Sequence, residues 1–464
     1  MAQGPVRKAD VVVIGAGFAG LSAAVRLAEA GLSVVVAEEA PRLGGRATAF
    51  TDRESGERVD NGQHVLFGCY RETYRFLRRL GTDGLAPLQP RLNIAFASTG
   101  GQSAQLVCPP WRPPWHLMGA VLSWSALPVR DRLGALRLAG LLREVRRDGA
   151  EAVAARVPRD QTVSAWLRAR GQRTGLCEWL WDPLALAALN QSPEVAAAGP
   201  FVRVLGELFG PRLEDSAVGL SKVPLDELYA EPARRYIEER GGHVAVRAPA
   251  RIRLDADGSI SHVAVGDLLV ETRAVISAVP WHALARVWEG DPPSALAGVI
   301  DRAISMASSP IVTVNLWFDG RLGSDPFVGL VGGPMHWVFD KASIFGGHAG
   351  HLAAVASGAT ELASMDNAAA TQAAVEHLKQ ALPVLQSRRL KRSVVVREQR
   401  ATFSLAPGQP GRPPSATDLA GFYLAGDWVE TGLPGTIEAA VVSGHRVAEL
   451  ILSGEGRRRS PGAA

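Results

Sequence analysis

A glycine-rich turn near the start of the chain constrains the fold more than any other feature. Residues 10–14, DVVVI, have the composition of a short buried strand, and residues 21–30 carry apolar side chains at helical spacing. Gly15, Gly17 and Gly20 lie between them in a GxGxxG pattern. In such a loop the first glycine permits a tight turn, the second lets a pyrophosphate approach the backbone, and the third lets helix and strand pack closely.

The segment after this turn completes a βαβ unit. Residues 33–37, SVVVA, form a second predicted strand, and Glu38 and Glu39 follow at its end. A carboxylate at the position of Glu38 accepts hydrogen bonds from both ribose hydroxyls of a bound dinucleotide. The helix N-terminus, at Phe18 and Ala19, directs free amides and the positive end of its dipole at the phosphates. Together these features predict an α/β fold with a Rossmann-type parallel sheet.

Two further glycine-containing motifs indicate the kind of dinucleotide. Gly44, Gly45 and Arg46 follow Glu38 closely, and residues 425–444 have the sequence AGDWVETGLPGTIEAAVVSG. Both motifs resemble those of the flavin-containing amine oxidase and carotenoid desaturase superfamily. The resemblance implies that FAD is the cofactor. The glycines would let the backbone approach it, and Arg46 would hold charge near the pyrophosphate.

The C-terminal motif and one central strand carry further implied roles. By the same resemblance Asp427, beside Gly426, contacts the ribityl chain of the flavin. Relatives commonly place a valine against the adenine in a strand where this chain has Ala250, so a smaller contact is expected there. By the same resemblance, the loop after Asp427 leads into a helix whose N-terminus points at the isoalloxazine ring and stabilises negative charge on the reduced flavin. The residues at this helix start are Gly435, Thr436 and Ile437.

A third segment narrows the resemblance. Residues 59–70, VDNGQHVLFGCY, together with LNQSPE and PMHWVFD further along the chain, resemble the bacterial hydroxysqualene dehydroxylases, also described as squalene-associated FAD-dependent desaturases. This resemblance implies reduction of hydroxysqualene to squalene with loss of the hydroxyl group as water, in squalene and hopanoid biosynthesis. It also implies that Asp60, Gly62, Gln63 and His64 lie near the flavin.

Such a reaction needs a hydride from reduced flavin, an acid that helps hydroxide leave, and a dry tunnel for a long hydrocarbon. His64 is the candidate acid, because an imidazole titrates near neutral pH; the alternative is a hydrogen-bonding or packing role beside the flavin. Aromatic residues are candidates for the substrate wall, although aromatic side chains in apolar surroundings also form ordinary core. These wall candidates are Phe67, Tyr70, Trp337 and Phe339.

Other functions use the same motifs. A carotenoid or phytoene-type desaturase or isomerase would share both the cofactor and an apolar tunnel. An amine oxidase or a protoporphyrinogen oxidase would share the glycine-rich motifs. A non-catalytic prenyl-binding protein, such as a Rab GDP-dissociation inhibitor, would share the scaffold but would be colourless when purified.

Changes of pattern along the chain predict the domain organisation. Short alternating runs after residue 242 indicate strands that return to the nucleotide-binding domain, whereas the middle of the chain is rich in Leu, Ala, Arg and Trp at helical spacing. The predicted FAD-binding domain comprises residues 1–65, 240–290 and 416–455. An interleaved α+β substrate domain comprises residues 66–239 and 291–415 and is expected to be mainly helical over residues 110–235. Residues 456–464 are a predicted disordered tail.

The charge, cysteine and histidine content of the chain limits which partners, metal sites and cellular compartment we expect. The 464 residues include 50 basic and 46 acidic side chains, so the net charge of +4 is not a concentrated cationic field and nucleic acid binding is not expected. Cys69, Cys108 and Cys177 are widely spaced, which argues against a disulfide framework and favours a reducing cytoplasm. His348 and His351 lack a matching cysteine or carboxylate cluster, so we expect them in loops and expect no metal site.

The remaining expectations concern an apolar substrate and its surroundings. Residues 116–129 are apolar but fall short of the roughly 20 residues that cross a bilayer. Trp111 and Trp115 precede them and are either anchors at a membrane interface or part of a hydrophobic flap over an internal pocket. We therefore expect a cytoplasmic protein with a possible peripheral contact on the inner face of the membrane. One dinucleotide fingerprint is visible, so reducing equivalents for an isoprenoid substrate are expected from an external electron donor.

Overall fold

The computed structural model describes residues 6–321, 323 and 325–454. It has an α/β architecture built on three larger sheets and two small two-stranded sheets, which confirms the predicted fold class. The strands are β1 (Val6–Lys8), β2 (Val11–Ile14), β3 (Val34–Ala37), β4 (Ala49–Thr51), β5 (Arg58–Asp60), β6 (Val65–Phe67), β7 (Asn93–Ser98), β8 (Ser103–Val107), β9 (Val218–Leu220), β10 (His243–Ala245), β11 (Ala250–Leu254), β12 (Ile260–Val265), β13 (Leu268–Glu271), β14 (Val275–Ser277), β15 (Ser308–Phe318), β16 (Phe327–Val331), β17 (Trp337–Asp340), β18 (His351–Ser357), β19 (Leu390–Phe403) and β20 (Phe422–Leu424).

Helices cover the faces of these sheets and fill the middle of the chain. Short 3-10 and π-helical turns join several of them. The α-helices are α1 (Phe18–Glu29), α2 (Arg71–Leu80), α3 (Trp115–Ser123), α4 (Val129–Gly134), α5 (Ala139–Asp148), α6 (Ala150–Ala155), α7 (Val163–Ala169), α8 (Thr174–Leu176), α9 (Asp182–Leu189), α10 (Ala198–Leu208), α11 (Glu231–Glu238), α12 (Ala297–Ser305), α13 (Lys341–Phe345), α14 (Thr360–Ser364), α15 (Asn367–Ala381) and α16 (Ile437–Ser453).

A five-stranded parallel sheet in the order β10-β3-β2-β14-β20 positions the site. Strands β2 and β3 are valine-rich and fully buried, as expected when both faces of a parallel sheet are covered. Alternate side chains face opposite layers: Val11 and Val13 pack with α1, α11 and α16, whereas Val12 packs with the second sheet. The carboxyl ends of β2, β3 and β20 therefore meet at one edge, where ligands of such sheets bind.

The second sheet has four strands in the order β1-β13-β12-β11, and the third has seven in the order β19-β15-β18-β17-β16-β7-β8. In the seven-stranded sheet only the β16–β7 pair is parallel among the described pairings. One face packs against α15, with Val312 and Val314 of β15 meeting Ala374 and Leu378. The opposite face, including Phe339 and the helices between residues 115 and 208, surrounds a separate apolar core.

Several local expectations differ from the structure. Helix α1 begins at Phe18 and not at residue 21, because Gly17 is already its N-cap and the loop glycines bring the helix start forward. His351 is buried on strand β18 and is not in a loop, so that expectation was wrong; its hydrophobic neighbours continue the strand. The predicted tail, residues 456–464, lies outside the described residues. Within the described part of the chain, no helix is both long and apolar enough to cross a bilayer, and no cluster of metal-ligating side chains is found.

Candidate active site

A cavity of about 670 Å³ lies where the parallel sheet meets the seven-stranded sheet. Its size is typical of a site for a small molecule or cofactor. All but two of the residues that the sequence assigned to cofactor or substrate line this one cavity, although they come from segments more than 400 positions apart. These residues are Gly15, Gly17, Phe18, Ala19, Glu38, Glu39, Gly44, Gly45, Arg46, Gly62, Gln63, His64, Phe67, Tyr70, Ala250, Trp337, Phe339, Gly426, Asp427, Gly435, Thr436 and Ile437.

Two residues do not line the cavity: Asp60, whose ion pair with Lys341 is described below, and Gly20. A Cβ atom at this position would lie 1.9 Å from the carbonyl oxygen of Gly15, so Gly20 lets helix α1 pack against the turn. Gly15 has a φ of +104°, a conformation that glycine adopts readily. This close approach is the packing role that the GxGxxG pattern predicts for its third glycine.

Gly17 and Gly45 form an open cradle beside the helix N-terminus. A Cβ atom built on Gly17 meets only the Gly44 carbonyl oxygen, at 3.9 Å, and one built on Gly45 meets the Cα atom of Gly17 at 3.5 Å. No side chain of α1 caps its first turn, so backbone amides there are available to a ligand. A helix N-terminus of this kind binds phosphate.

Glu38 occupies the end of strand β3, at the same edge of the sheet. Its carboxylate accepts hydrogen bonds from the backbone amides of Ala16, at 2.8 Å, and Ala40, at 2.9 Å. Burial raises the pKa of Glu38, and these two amides oppose the shift. The carboxylate is thus held in a defined position at the edge of the cavity, where it can accept hydroxyl hydrogen bonds.

Arg46 joins the N-terminal and C-terminal motifs directly. Its guanidinium donates to Oδ1 of Asp427 at 2.5 Å and to the carbonyl oxygen of Ala401 at 2.5 Å. Asp427 is almost fully buried, so the guanidinium of Arg46 compensates its carboxylate for the loss of contact with water. The sequence resemblance implied separate roles for the two residues beside FAD, and the structure adds that they hold each other in place.

Tyr229, which the sequence did not single out, ties the two glycine loops together. Its ring stacks on Phe18 with centroids 3.5 Å apart, and its hydroxyl donates to the Gly44 carbonyl oxygen at 2.7 Å. It lies in a buried helical turn with no motif around it. Helical periodicity would have predicted an ordinary core position, so no local signal identifies this role.

A buried network stands behind the DNGQH segment. Lys341 donates to Oδ2 of Asp60 at 2.9 Å and to Oε1 of Gln63 at 2.5 Å. The Lys341 and Asp60 side chains are 2% and 4% exposed, which makes this a fully buried ion pair. Because its oxygen is engaged, Gln63 has its amide NH₂ group free to donate into the cavity. The sequence predicted Gln63 but not Lys341, which is 278 residues away.

His64 lies half-buried beside this network. Its Nδ1 atom lies 2.7 Å from the carbonyl oxygen of Gly62. A carbonyl only accepts, so Nδ1 carries the proton of the neutral ring and Nε2 is left as an acceptor. Burial lowers the pKa of His64. The ring is therefore neutral near pH 7, and it becomes a proton donor through Nε2 only after it gains a second proton.

The other end of the cavity is apolar. Phe67, Tyr70, Trp337 and Phe339 line it together with aliphatic residues. A second cavity of about 130 Å³ adjoins it, because Phe67, Ile94, Ala187 and Trp337 line both. Its other lining residues are almost all aliphatic or aromatic. The pair of cavities offers a polar dinucleotide cradle at one end and an apolar chamber at the other.

The residues present fit an FAD group. The cavity has an uncapped helix N-terminus beside a cradle without side chains, a fixed carboxylate at the end of the second parallel strand, and a second helix N-terminus at Thr436. The first can hold a pyrophosphate, the second a ribose, and the third a ring that gains negative charge.

Comparisons with known proteins support a flavin cofactor. The family model "Flavin containing amine oxidoreductase" matches residues 18–452. A hydroxysqualene dehydroxylase from Sinorhizobium fredii is 30% identical over 96% of this chain and 98% of its own length. A second protein of that name, from Rhodopseudomonas palustris, is 28% identical over 96% and 98%.

More distant relatives share the same fold. The zeta-carotene desaturase of Synechocystis sp. is 24% identical over 96% of this chain and 98% of its own. Among solved structures, an oxidoreductase from Methanosarcina mazei superposes with a TM-score of 0.72 at 17% identity, over 96% of this chain and 100% of that one. Putrescine oxidase gives a TM-score of 0.70, also at 17% identity, over 97% and 100%.

Proposed function

The chain belongs to the flavin-containing amine oxidoreductase family, and we propose that within this family it reduces hydroxysqualene to squalene. It is an oxidoreductase with FAD as its cofactor. The observation that carries the proposal is the similarity of 27–30%, over nearly the full chain, to three proteins named hydroxysqualene dehydroxylase. An apolar chamber next to the dinucleotide cradle supports it, since squalene is a pure hydrocarbon.

In this proposal FAD binds at the polar end of the cavity and the substrate binds at the apolar end. The amides around Gly17, Gly45 and the start of α1 would hold the pyrophosphate, and Glu38 the ribose. Asp427, fixed by Arg46, would contact the ribityl chain. The remaining lining residues of the cradle given above, including Glu39 and Ala250, would contact the cofactor through packing or backbone groups.

The proposed reaction replaces a C–O bond with a C–H bond and releases water. Reduced FAD, when bound, supplies the hydride. The departing hydroxide takes one proton, so the net balance is two electrons and two protons for each hydroxysqualene. The amide of Gln63 and the ring of His64 are among the polar groups that line the cavity, and in this proposal they meet the hydroxyl of the substrate. The aromatic wall excludes water from the cation or partial cation that develops on carbon.

We propose His64 as the residue that donates this proton. Only its doubly protonated ring can do so, and burial lowers the pKa of His64 from 6.5. Turnover should therefore fall as the pH rises through a pKa below 6.5, because the donor form is lost. His64→Phe is expected to reduce turnover per bound flavin about a hundredfold and to abolish this pH dependence.

The measurement is the pH profile of kcat/KM under anaerobic reducing conditions, normalised to flavin absorbance. His348→Phe is the matched control, because His348 is exposed and does not line the cavity. Unchanged turnover of His64→Phe with full flavin occupancy would show that the donor is another group.

Product analysis tests the proposed reaction itself. Purified protein loaded with FAD is incubated with hydroxysqualene and a chemical reductant without oxygen, and squalene is measured by gas chromatography. Squalene formation is the expected result. The zeta-carotene desaturases, similar over 96–97% of this chain, make carotenoid desaturation the second candidate. Because desaturation removes two electrons from its substrate, a polyene is assayed in parallel with a quinone as electron acceptor in place of the reductant. Polyene desaturation there, without squalene formation in the first assay, would favour that candidate and reject ours.

The proposal also includes a source of electrons and a contact with a membrane. The chain has one GxGxxG fingerprint, and we propose that an external carrier supplies the two electrons. We also propose that the protein makes peripheral contact with a membrane, because both hydroxysqualene and squalene partition into lipid. Neither proposal depends on a helix that spans the bilayer.

A further inference from the structure

An exposed apolar surface lies over the second cavity. Of the twelve large apolar side chains exposed in the described part of the chain, six fall within residues 111–136. Four of them are more than half exposed, with values of 53%, 60%, 65% and 51% for Trp111, Trp115, Val129 and Leu133. We call these six residues the entry surface: Trp111, Trp115, Leu122, Val129, Leu133 and Leu136.

The entry surface is one continuous part of the fold. Helices α3 and α4 contact each other, and both contact the short turn Ala135–Leu138. Trp111 lies against α3, since a Cβ atom on Gly119 would meet its ring at 2.5 Å. Arg132 donates to the carbonyl oxygens of Leu122 and Leu127, which fixes α4 to the end of α3. A contiguous apolar area that is exposed on a protein surface marks an interaction site.

The inner sides of α3 and of the turn that follows α4 line the second cavity. Leu117, Met118 and Val121 of α3 face it, as does Leu138 of the adjoining turn. This cavity adjoins the cofactor cavity at Phe67 and Trp337. One thin helical layer thus separates the exposed apolar side chains from an apolar path that leads to the candidate reaction centre.

The charge of this segment indicates what the entry surface contacts. Residues 111–148 contain seven arginines and three acidic residues, a net charge of +4. That equals the net charge of the whole chain, so the remaining residues sum to zero. Arg112 and Arg130, which flank the exposed tryptophans and Val129, are themselves exposed. Basic side chains around an apolar area with tryptophans complement an anionic lipid surface.

We propose that the entry surface inserts into the headgroup region of an anionic bilayer and that substrate passes from the bilayer into the second cavity there. This inference rests on the proposed function, because a hydrocarbon substrate resides in lipid. Arginine stems can lie along the apolar surface while their guanidinium groups reach phosphates. Of the two readings of Trp111 and Trp115 given by the sequence, the membrane anchor is the one that their exposure supports.

Vesicle binding tests the surface itself. The full chain with bound FAD is sedimented with vesicles of phosphatidylcholine alone or mixed with phosphatidylglycerol. We expect binding to the mixed vesicles that weakens with salt. The double variants Trp111→Ser/Trp115→Ser and Val129→Ser/Leu133→Ser should each bind at least about tenfold more weakly, from the lost burial of two apolar side chains.

Ile304→Ser is the matched control. Ile304 is 70% exposed on α12, outside the entry surface, and its substitution should leave vesicle binding unchanged. Equal binding by the double variants and the wild type would overturn the inference, as would an equal loss in Ile304→Ser. So would a wild-type dimer in gel filtration that the double variants dissociate, because a second copy would then cover the surface.

Supplying the substrate in two forms, in vesicles and in detergent micelles, tests this inference separately from the proposed function. With hydroxysqualene in vesicles, the double variants should lose turnover, whereas with hydroxysqualene in detergent micelles they should turn over like Ile304→Ser. Vesicle binding without any squalene formation would reject the proposed function and leave the lipid surface standing. Squalene formation from vesicles that is equal in all variants would reject substrate entry at this surface.

Discussion

Replacing Gly17 with valine is expected to yield a folded protein that has lost its FAD. The backbone at Gly17 has φ of −86° and ψ of −174°, which valine adopts easily. A Cβ atom there meets no protein atom closer than 3.9 Å, so the apoprotein tolerates it. The valine side chain instead occupies the space in which a pyrophosphate would meet the amides of α1. The loss of two charge-assisted hydrogen bonds corresponds to an affinity at least about a hundredfold lower.

The measurement is flavin absorbance of the purified variant, followed by titration of the apoprotein with FAD. Circular dichroism shows whether the fold is retained. Gly84→Ala is the control, since a Cβ atom at Gly84 meets nothing within 4 Å and the residue lies away from the cavity. Gly20→Ala makes a contrasting case: its Cβ atom would lie 1.9 Å from Gly15, so folding itself should suffer. A yellow Gly17→Val protein with wild-type affinity would contradict the proposed cradle.

Replacing Lys341 with methionine is expected to destabilise the protein by about 3–5 kcal/mol. The substitution leaves the Asp60 carboxylate, only 4% exposed, without its cation. Removing one partner of a buried pair costs far more than removing both, because an unpaired charge remains away from water. The double variant Lys341→Met/Asp60→Asn should therefore recover most of the lost free energy of unfolding.

Urea denaturation of the holoprotein measures both effects. Lys391→Met is the matched control: Lys391 is exposed on strand β19, and its change should stay within about 0.5 kcal/mol. Because Lys341 also fixes the amide of Gln63, turnover per bound flavin should fall in the single variant. A double variant that is less stable than Lys341→Met would mean that the ion pair is not what stabilises this part of the fold.

The fold class, the superfamily and the flavin cofactor were all predictable from local motifs, and they are confirmed. The first βαβ unit could be predicted because its glycines and valines set the local backbone conformation, which depends on residues close together in the chain. The strands β7 and β8 show where this approach was weaker. They lie in a stretch predicted to belong to an interleaved substrate domain, and this hairpin joins the seven-stranded sheet only because β7 pairs with the distant strand β16.

The sequence by itself determined the glycine turn, Glu38 at the end of its strand, and the class of fold, because φ angles, the absence of a Cβ atom and strand length are local properties. Only the tertiary structure decided that Arg46 meets Asp427, 381 residues away, that Lys341 pairs with Asp60, and that the second cavity adjoins both the apolar end of the cofactor cavity and the exposed apolar surface. Those contacts form through the packing of distant segments, and no spacing within one segment encodes the distance between two of them.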